Sequence, residues 1–270
     1  MTVGALAMVA VPLIIFALYS LWRVEGFQIV HRYGFGNYRQ ALGGFFVRSL
    51  ATSLVIGVST AVASCLVAFG LAWAVRFRLT RSRNLVLLTV VAASTGSYVA
   101  RIYSWRSILG DAGLINRGLE WLGVIHEPLA FLIFNRGAVI VALTNLFVPY
   151  AFLPIYVNLL SIDPDVLAAG RVLGAGPLTN FRRVVLPMAS VGLVVSFMYV
   201  LIFATGDFAI PLFLGGPTGV PASRAIESQF SDSFNWPLGA AMSFMYMAAL
   251  GLVAGALALY AARRSRRLAS

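Results

Sequence analysis

Six stretches of this chain, residues 4–22, 50–75, 85–105, 137–160, 188–209 and 239–262, are apolar over lengths that can cross a bilayer. A membrane helix needs about 20 such residues to span a hydrocarbon core of about 30 Å. The runs do not alternate polar with apolar residues, so strands are not expected in them, and lipid admits only helices or closed barrels. The expectation is an all-α membrane protein with six transmembrane helices in a single domain over 1–270. With 60% of its residues hydrophobic and 11% charged, the chain has room for short loops and no large soluble domain. The first run lacks a positively charged leader and is longer than a signal-peptide core, so it reads as a membrane span.

Arginine placement sets the orientation. All 20 basic residues are Arg. Arg76, Arg78, Arg81 and Arg83 cluster after the second run; Arg263, Arg264, Arg266 and Arg267 follow the sixth. Four spans separate the clusters, so both lie on one side, and dense basic flanks mark it as cytoplasmic. Both termini are then cytoplasmic. The net charge of +11 is explained by these flanks and does not read as a nucleic-acid footprint. Cys65 lies alone in an apolar run, and His31 and His126 are isolated, so neither a disulfide nor a metal site is expected. There is no phosphate loop of the G-x-x-x-x-G-K-[ST] kind, no H-E-x-x-H and no Ser-His-Asp set, which excludes an ATPase and leaves a membrane enzyme only Asp207 and two scattered His in its support.

The longest polar insertion in the C-terminal half is IDPDVLAAGRVLGAGPLTNFRRVVLP, 162–187. Asp163 can cap a helix with Pro164 in its first turn. Val166, Gly170 and Leu173 recur at helical spacing, and Gly174 can end the helix at positive φ. A second short helix opens at Gly176-Pro177, carries Arg182 and Arg183, and runs into Pro187, which can start the next apolar run. The spacing predicts a helix-turn-helix elbow on the cytoplasmic side, exposing the small-residue turn Gly174-Ala175-Gly176. On local physics alone an ordinary loop fits equally well.

The elbow resembles the Glu-Ala-Ala loop of ABC-importer permeases. In that pattern Glu-Ala-Ala is followed by three residues, Gly, nine residues, then Ile-x-Leu-Pro. With Gly174 as the motif glycine, Val184, Val185, Leu186 and Pro187 fall in register. The Glu-Ala-Ala positions are Ala168, Ala169 and Gly170, so the acid is absent, with Asp165 three residues upstream. RIYSW (101–105), GLIN (113–116), GDFAIPLFLGGP (206–217) and NWPLGAA (235–241) are similar to the spermidine/putrescine-type permeases, closest to the first of the pair.

The resemblance implies a MetI-like type I permease fold in a bacterial inner membrane. It implies a second related permease, two ATP-binding-cassette subunits docked on the coupling loop, and an extracytoplasmic solute-binding protein. It implies transport of a polyamine or a related organic cation or amino-acid derivative, with ATP hydrolysed in a separate subunit and no cofactor in this one.

Outside the elbow, Asp207 is an ionisable residue near the outer end of the fifth run, costly unless it faces water or a partner. It reads either as a functional carboxylate or as the end of a helix, since Gly206 and Pro211 weaken that run. Tyr98, Tyr103 and Trp105 sit near the outer end of the third run, as an aromatic belt would, beside Arg101, which can face a cavity or snorkel outward. For a cationic solute an acid and aromatic faces are the expected lining, giving Tyr98, Arg101, Tyr103, Asp207 and Phe208 as pathway candidates. The alternative to an ABC permease is a stand-alone secondary transporter with Asp207 as its coupling carboxylate. Residues 110–124 predict a short surface helix, with Ile115, Leu119 and Leu122 on one face.

Overall fold

The computed structural model describes residues 2–26, 28–79, 81–217 and 220–269, with the backbone alone for 2–6, 9, 164, 171 and 260–269. The side chains of the Arg cluster at 263–267 therefore lie outside the described residues. In chain order the elements are α1 (Thr2–Leu21), β1 (Arg23–Glu25), β2 (Gln28–Val30), α2 (Gly36–Ala41), α3 (Gly44–Phe77), α4 (Arg83–Ser94), α5 (Tyr98–Leu109), α6 (Leu114–Trp121) and α7 (Arg136–Leu160). Then come α8 (Pro164–Val172), α9 (Pro177–Asn180), a π-helical turn (Phe181–Val185), α10 (Leu186–Met188), α11 (Ser190–Gly206), α12 (Ala209–Leu214), α13 (Ala222–Ser231) and α14 (Trp236–Ala269).

Among the described residues three helices are long and apolar enough to cross a membrane alone: α3, α7 and the part of α14 from Trp236 to Leu259. Two bent pairs raise the number to five, and the apolar stretch Ala10–Leu21 of α1 is shorter.

The structure adds one feature and corrects one expectation. The connection after α1 holds a two-stranded antiparallel hairpin, with Arg23 opposite Val30 and Glu25 opposite Gln28. It is too short to change the fold class. The third run is not one straight helix. It breaks after Ser94, and α4 meets the stretch Tyr98–Trp121 at 96°. The Ser94-Thr95-Gly96-Ser97 sequence supplies its own partners for the freed backbone groups. Ser94 Oγ donates to Val91 O (2.6 Å), Thr95 Oγ1 donates to Ala92 O (2.9 Å), and Ser97 Oγ accepts from Ala100 N (3.4 Å).

The chain forms two compact units: residues 1–55, 205–212 and 217–270 in one, and 56–204 and 213–216 in the other. In the first, Phe46, Leu238 and Met242 form the buried core with Ala41, Ala222 and Ala225. The ends of its helices are closed by side chains. Asn37 Nδ2 donates to Ser20 O (2.9 Å) in the last turn of α1 and to Trp22 O (2.6 Å) just after it. Ser53 Oγ accepts from Ala222 N (2.9 Å) at the start of α13, and Asn235 Oδ1 accepts from Leu238 N (3.2 Å) at the start of α14.

In the second unit α7 and α11 cross closely. An ideal Cβ on Gly192 would lie 2.7 Å from Pro154 O and 2.7 Å from Asn158 Cβ. Close approach through small residues is how helices associate in lipid, where apolar burial gives no net drive. Ser196, fully buried one turn on, donates to Ala151 O (2.8 Å) across the crossing.

Candidate functional site

The elbow lies wholly within the second unit, between the end of α7 and the start of α11. Asp163 Oδ1 accepts from Asp165 N (2.9 Å), so the aspartate caps α8, and Asp165 places an acid in its first turn. The helix stops at Gly174, whose φ is +81°. Ala175 N donates back to Gly170 O (2.9 Å), the Schellman closure that needs a residue in the left-handed region at Gly174.

After Gly176 the chain turns into α9, with Asn180 N donating to Gly176 O (3.0 Å). The ladder then widens into the π-helical turn that carries Arg182 and Arg183, both exposed. Pro187 lies in α10, before the bend of 63° that separates this leg from α11, so it precedes the long helix rather than opening it.

A brace holds the two legs of the elbow at a fixed angle. Asn180, itself buried, donates from Nδ2 to Leu167 O (3.1 Å) on α8. Gly170 makes room for it, since a Cβ there would overlap the Asn180 side chain. This explains why a glycine stands where the motif has its second alanine. Removing the brace takes away one hydrogen bond to Leu167 O and empties the space beside Gly170, at a cost of about 1–2 kcal/mol. Asn180→Ala is therefore expected to speed amide exchange over residues 165–173 by roughly tenfold while leaving α7 protected. Unchanged exchange in α8 would show that the angle is held by other contacts.

The outer face of the elbow is apolar and open. Leu167 is buried under α8, whereas Val172 and Leu173 are each 87% exposed, with Ala168, Ala169 and Leu178 also exposed. Contiguous exposed apolar side chains beside a rigid turn mark an interaction surface.

The pathway candidates are divided between the units. Tyr98, Arg101 and Tyr103 lie on α5 in the second; Asp207 and Phe208 lie between α11 and α12 in the first. Two of the five serve the backbone. Arg101 Nη2 donates to Ala93 O (2.6 Å), closing the end of α4 at the break, and Tyr150 OH donates to Ser94 O (2.9 Å) beside it. Asp207 Oδ1 accepts from Ile210 N (2.9 Å), which caps α12 and keeps Pro211 within the first turn, where it is tolerated.

Phe208 lines a cavity of about 530 Å³ with Gly206, Ser223, Glu227, Phe230 and Tyr246. Glu227 pairs with Arg224, whose Nη2 also lies 3.5 Å from Asp232. Tyr103 is exposed, its ring 5.9 Å from that of Phe213. The acidic Glu227 was not visible in the sequence as a lining residue, because nothing in the 222–231 segment sets it apart from an ordinary surface helix.

The cap makes a separable prediction. Asn caps a helix about as well as Asp, whereas Ala costs about 1 kcal/mol. Asp207→Asn is expected to leave uptake within about twofold of wild type and Asp207→Ala to lower thermal stability. A drop in uptake of tenfold or more with Asp207→Asn would return the carboxylate to the transport pathway.

The surface helix predicted at 110–124 forms as α6, with Ile115 and Leu122 exposed and Asn116 as its buried anchor. Asn116 donates to Gly110 O (3.1 Å) and accepts from Leu129 N (2.9 Å).

A mostly helical chain with apolar spans and a braced, exposed elbow has the makings of a transporter's membrane subunit. Solved structures agree on the fold. A bacterial alginate ABC transporter in complex with its alginate-bound periplasmic protein matches 99% of this chain and 91% of its own, with a TM-score of 0.75 at 19% identity. The methionine ABC transporter MetNI, in inward-facing conformations, matches 86% of this chain and 98% of its own, with a TM-score of 0.54 at 19% identity.

The sequence profile of the binding-protein-dependent transport system inner membrane components matches residues 2–267, and the chain belongs to that family. It is thus a multi-pass inner-membrane permease and not an ATPase. The spermidine/putrescine transport system permease protein PotB of Escherichia coli (strain K12) is 29% identical over 217 residues, 80% of this chain and 78% of its own length. The PotB of Haemophilus influenzae is 30% identical over 207 residues, 77% and 72% of the two chains. The inner membrane ABC transporter permease protein YdcU of E. coli (strain K12) is 27% identical over 206 residues, 72% and 65%.

Proposed function

We infer that this chain forms half of the translocation pathway of an ABC importer for a small organic cation of the polyamine type. Its relatives include permeases named for spermidine and putrescine. The reading has six spans: α1, α3, the bent α4–α5 pair, α7, α11 with its leading leg, and α14. Both termini and the elbow face the cytoplasm. A second related permease completes the pore, two ATPase subunits dock on the elbows, and an extracytoplasmic binding protein delivers the solute. Lipid surrounds the outer faces of the helices.

The observation that carries this reading is the elbow, a rigid turn at Gly174 with Val172 and Leu173 bared beside it. Such a surface is suited to a protein groove, and it must contact two states of the ATPase differently if it is to couple them to the pore. Phe208 and the aromatic wall of the Glu227 cavity are the side chains this reading assigns to the solute, since rings attract organic ammonium groups. The Asp207 cap of α12 favours the importer reading over a stand-alone secondary transporter, which would use that carboxylate for coupling.

Sidedness tests the assignment. In a Cys65→Ser background, Ala175→Cys is expected to react with a membrane-impermeant maleimide only from the cytoplasmic face, and to be shielded when the ATPase subunits are present. Reaction from the outside would overturn it.

A further inference from the structure

The last turns of α3 reach both ends of the elbow. Arg76 points its guanidinium at the end of α7, with Nε 3.4 Å from Leu159 O and Nη2 3.1 Å from Ile162 O. Those carbonyls belong to the turn from which the elbow departs, and a helix C-terminus favours a cation. At the other end Phe181, the first residue of the π-helical turn, is met edge-on by two rings of α3. Phe69 and Trp73 lie 5.8 and 6.1 Å away between centroids, each at 79°.

Positions 69, 73 and 76 share one face of a helix. One stripe of α3 therefore grips the elbow where it begins and where it ends, while the Asn180 brace fixes the angle between its legs. The chain itself joins α7 and α11 to the elbow; α3 is joined to it through these side chains. The planar fork of Arg holds two carbonyls at once in a fixed geometry, which the flexible ammonium of Lys holds less firmly.

We propose that Arg76, with Phe69 and Trp73, is the positioning group that makes α3 move with the elbow, so that a push on the elbow is delivered to three membrane helices rather than two. The proposal rests on reading the elbow as the ATPase docking site. With Arg76 intact, a displacement of the elbow carries the cytoplasmic end of α3 along; without it, the elbow slides past α3 and part of the stroke is lost.

The test uses the complete complex, with partner permease, ATPase subunits and binding protein, in liposomes with spermidine as solute. Spin labels replace Leu79, just after α3, and Ser161, at the start of the elbow. In otherwise wild-type protein their separation is expected to be the same with and without trapped ATP.

In Arg76→Ala the separation is expected to change on trapping ATP, and the ATP hydrolysed per spermidine taken up to rise by about fivefold or more. Arg76→Lys, which keeps the charge without the planar fork, is expected to lie between. A constant separation and a wild-type ratio in Arg76→Ala would overturn the proposal. Should Arg76→Ala not assemble, Phe181→Leu, which loosens the other anchor, must raise the ratio as well; a wild-type ratio there would overturn it equally. Failure of the ATPase subunits to co-purify with the wild-type chain would instead remove the docking reading beneath it.

Discussion

Gly174→Asp is expected to leave the complex assembled while cutting solute uptake by at least about tenfold and leaving ATP hydrolysis running. Gly174 sits at φ +81°, with nothing within 4 Å of where a Cβ would stand. The left-handed region costs most L-residues about 1–2 kcal/mol, but Asp and Asn visit it readily. The turn therefore survives.

What changes is the surface. A carboxylate now stands beside Val172 and Leu173, and burying it in a partner's groove without a counter-charge costs several kcal/mol, whereas a tenfold loss of coupling needs only about 1.4 kcal/mol. Gly174→Asn, which keeps the turn and carries no charge, is expected to lie much nearer wild type. Uptake and ATPase rates measured on the same purified complexes decide it. Unimpaired uptake in Gly174→Asp would remove the elbow from the coupling path.

The second large effect lies at the crossing of α7 and α11. Gly192→Val is expected to abolish the folded subunit. Its Cβ alone would stand 2.7 Å from Pro154 O and 3.1 Å from the Cα of Ile155, both backbone atoms that cannot swing aside. Separating the helices to admit it also breaks the hydrogen bond from Ser196 to Ala151 O. Overpacking costs about 1–3 kcal/mol where side chains can yield; against backbone the expected loss is at the top of that range or beyond it. Gly251→Val on α14, where nothing lies within 4 Å of the added Cβ, is expected to be neutral in the isolated chain. The readout is the yield of monodisperse protein in detergent. Equal yields for the two variants would mean that the crossing at Gly192 is looser than the structure has it.

The contrast between these two glycines bears on what a sequence can disclose. Gly174 was legible. An acidic cap, a proline in the first turn and a glycine at the stop define the α8 helix, and its spacing to Leu186-Pro187 fixes the register. Gly192 was not, because its tightness comes from Pro154 and Asn158, more than thirty residues away in sequence.

The same division runs through the site. The exposed turn of the elbow is a local matter, whereas its angle depends on Asn180 reaching back to Leu167, and its attachment to α3 depends on Arg76. In sequence Arg76 is one of four arginines that mark a cytoplasmic flank, with nothing to separate it from Arg78 or Arg81.

The break after Ser94 escaped notice for a related reason. Taken together the two helices still read as one apolar span, and the groups that satisfy the broken ladder include Arg101 and Tyr150, brought there by the fold. Arg101 and Asp207 were singled out because a charge in a membrane run is costly. Each has a helix end among its partners: Arg101 donates to Ala93 O and Asp207 accepts from Ile210 N.

The most direct measurement of the central claim is uptake by defined components. Liposomes are prepared with this chain and its partner permease, with or without the ATPase subunits, and supplied with binding protein outside and ATP inside. The account predicts spermidine accumulation only when the ATPase subunits and ATP are both present, with no response to a proton or sodium gradient. Accumulation driven by an ion gradient in liposomes that hold this chain and no ATPase would contradict it.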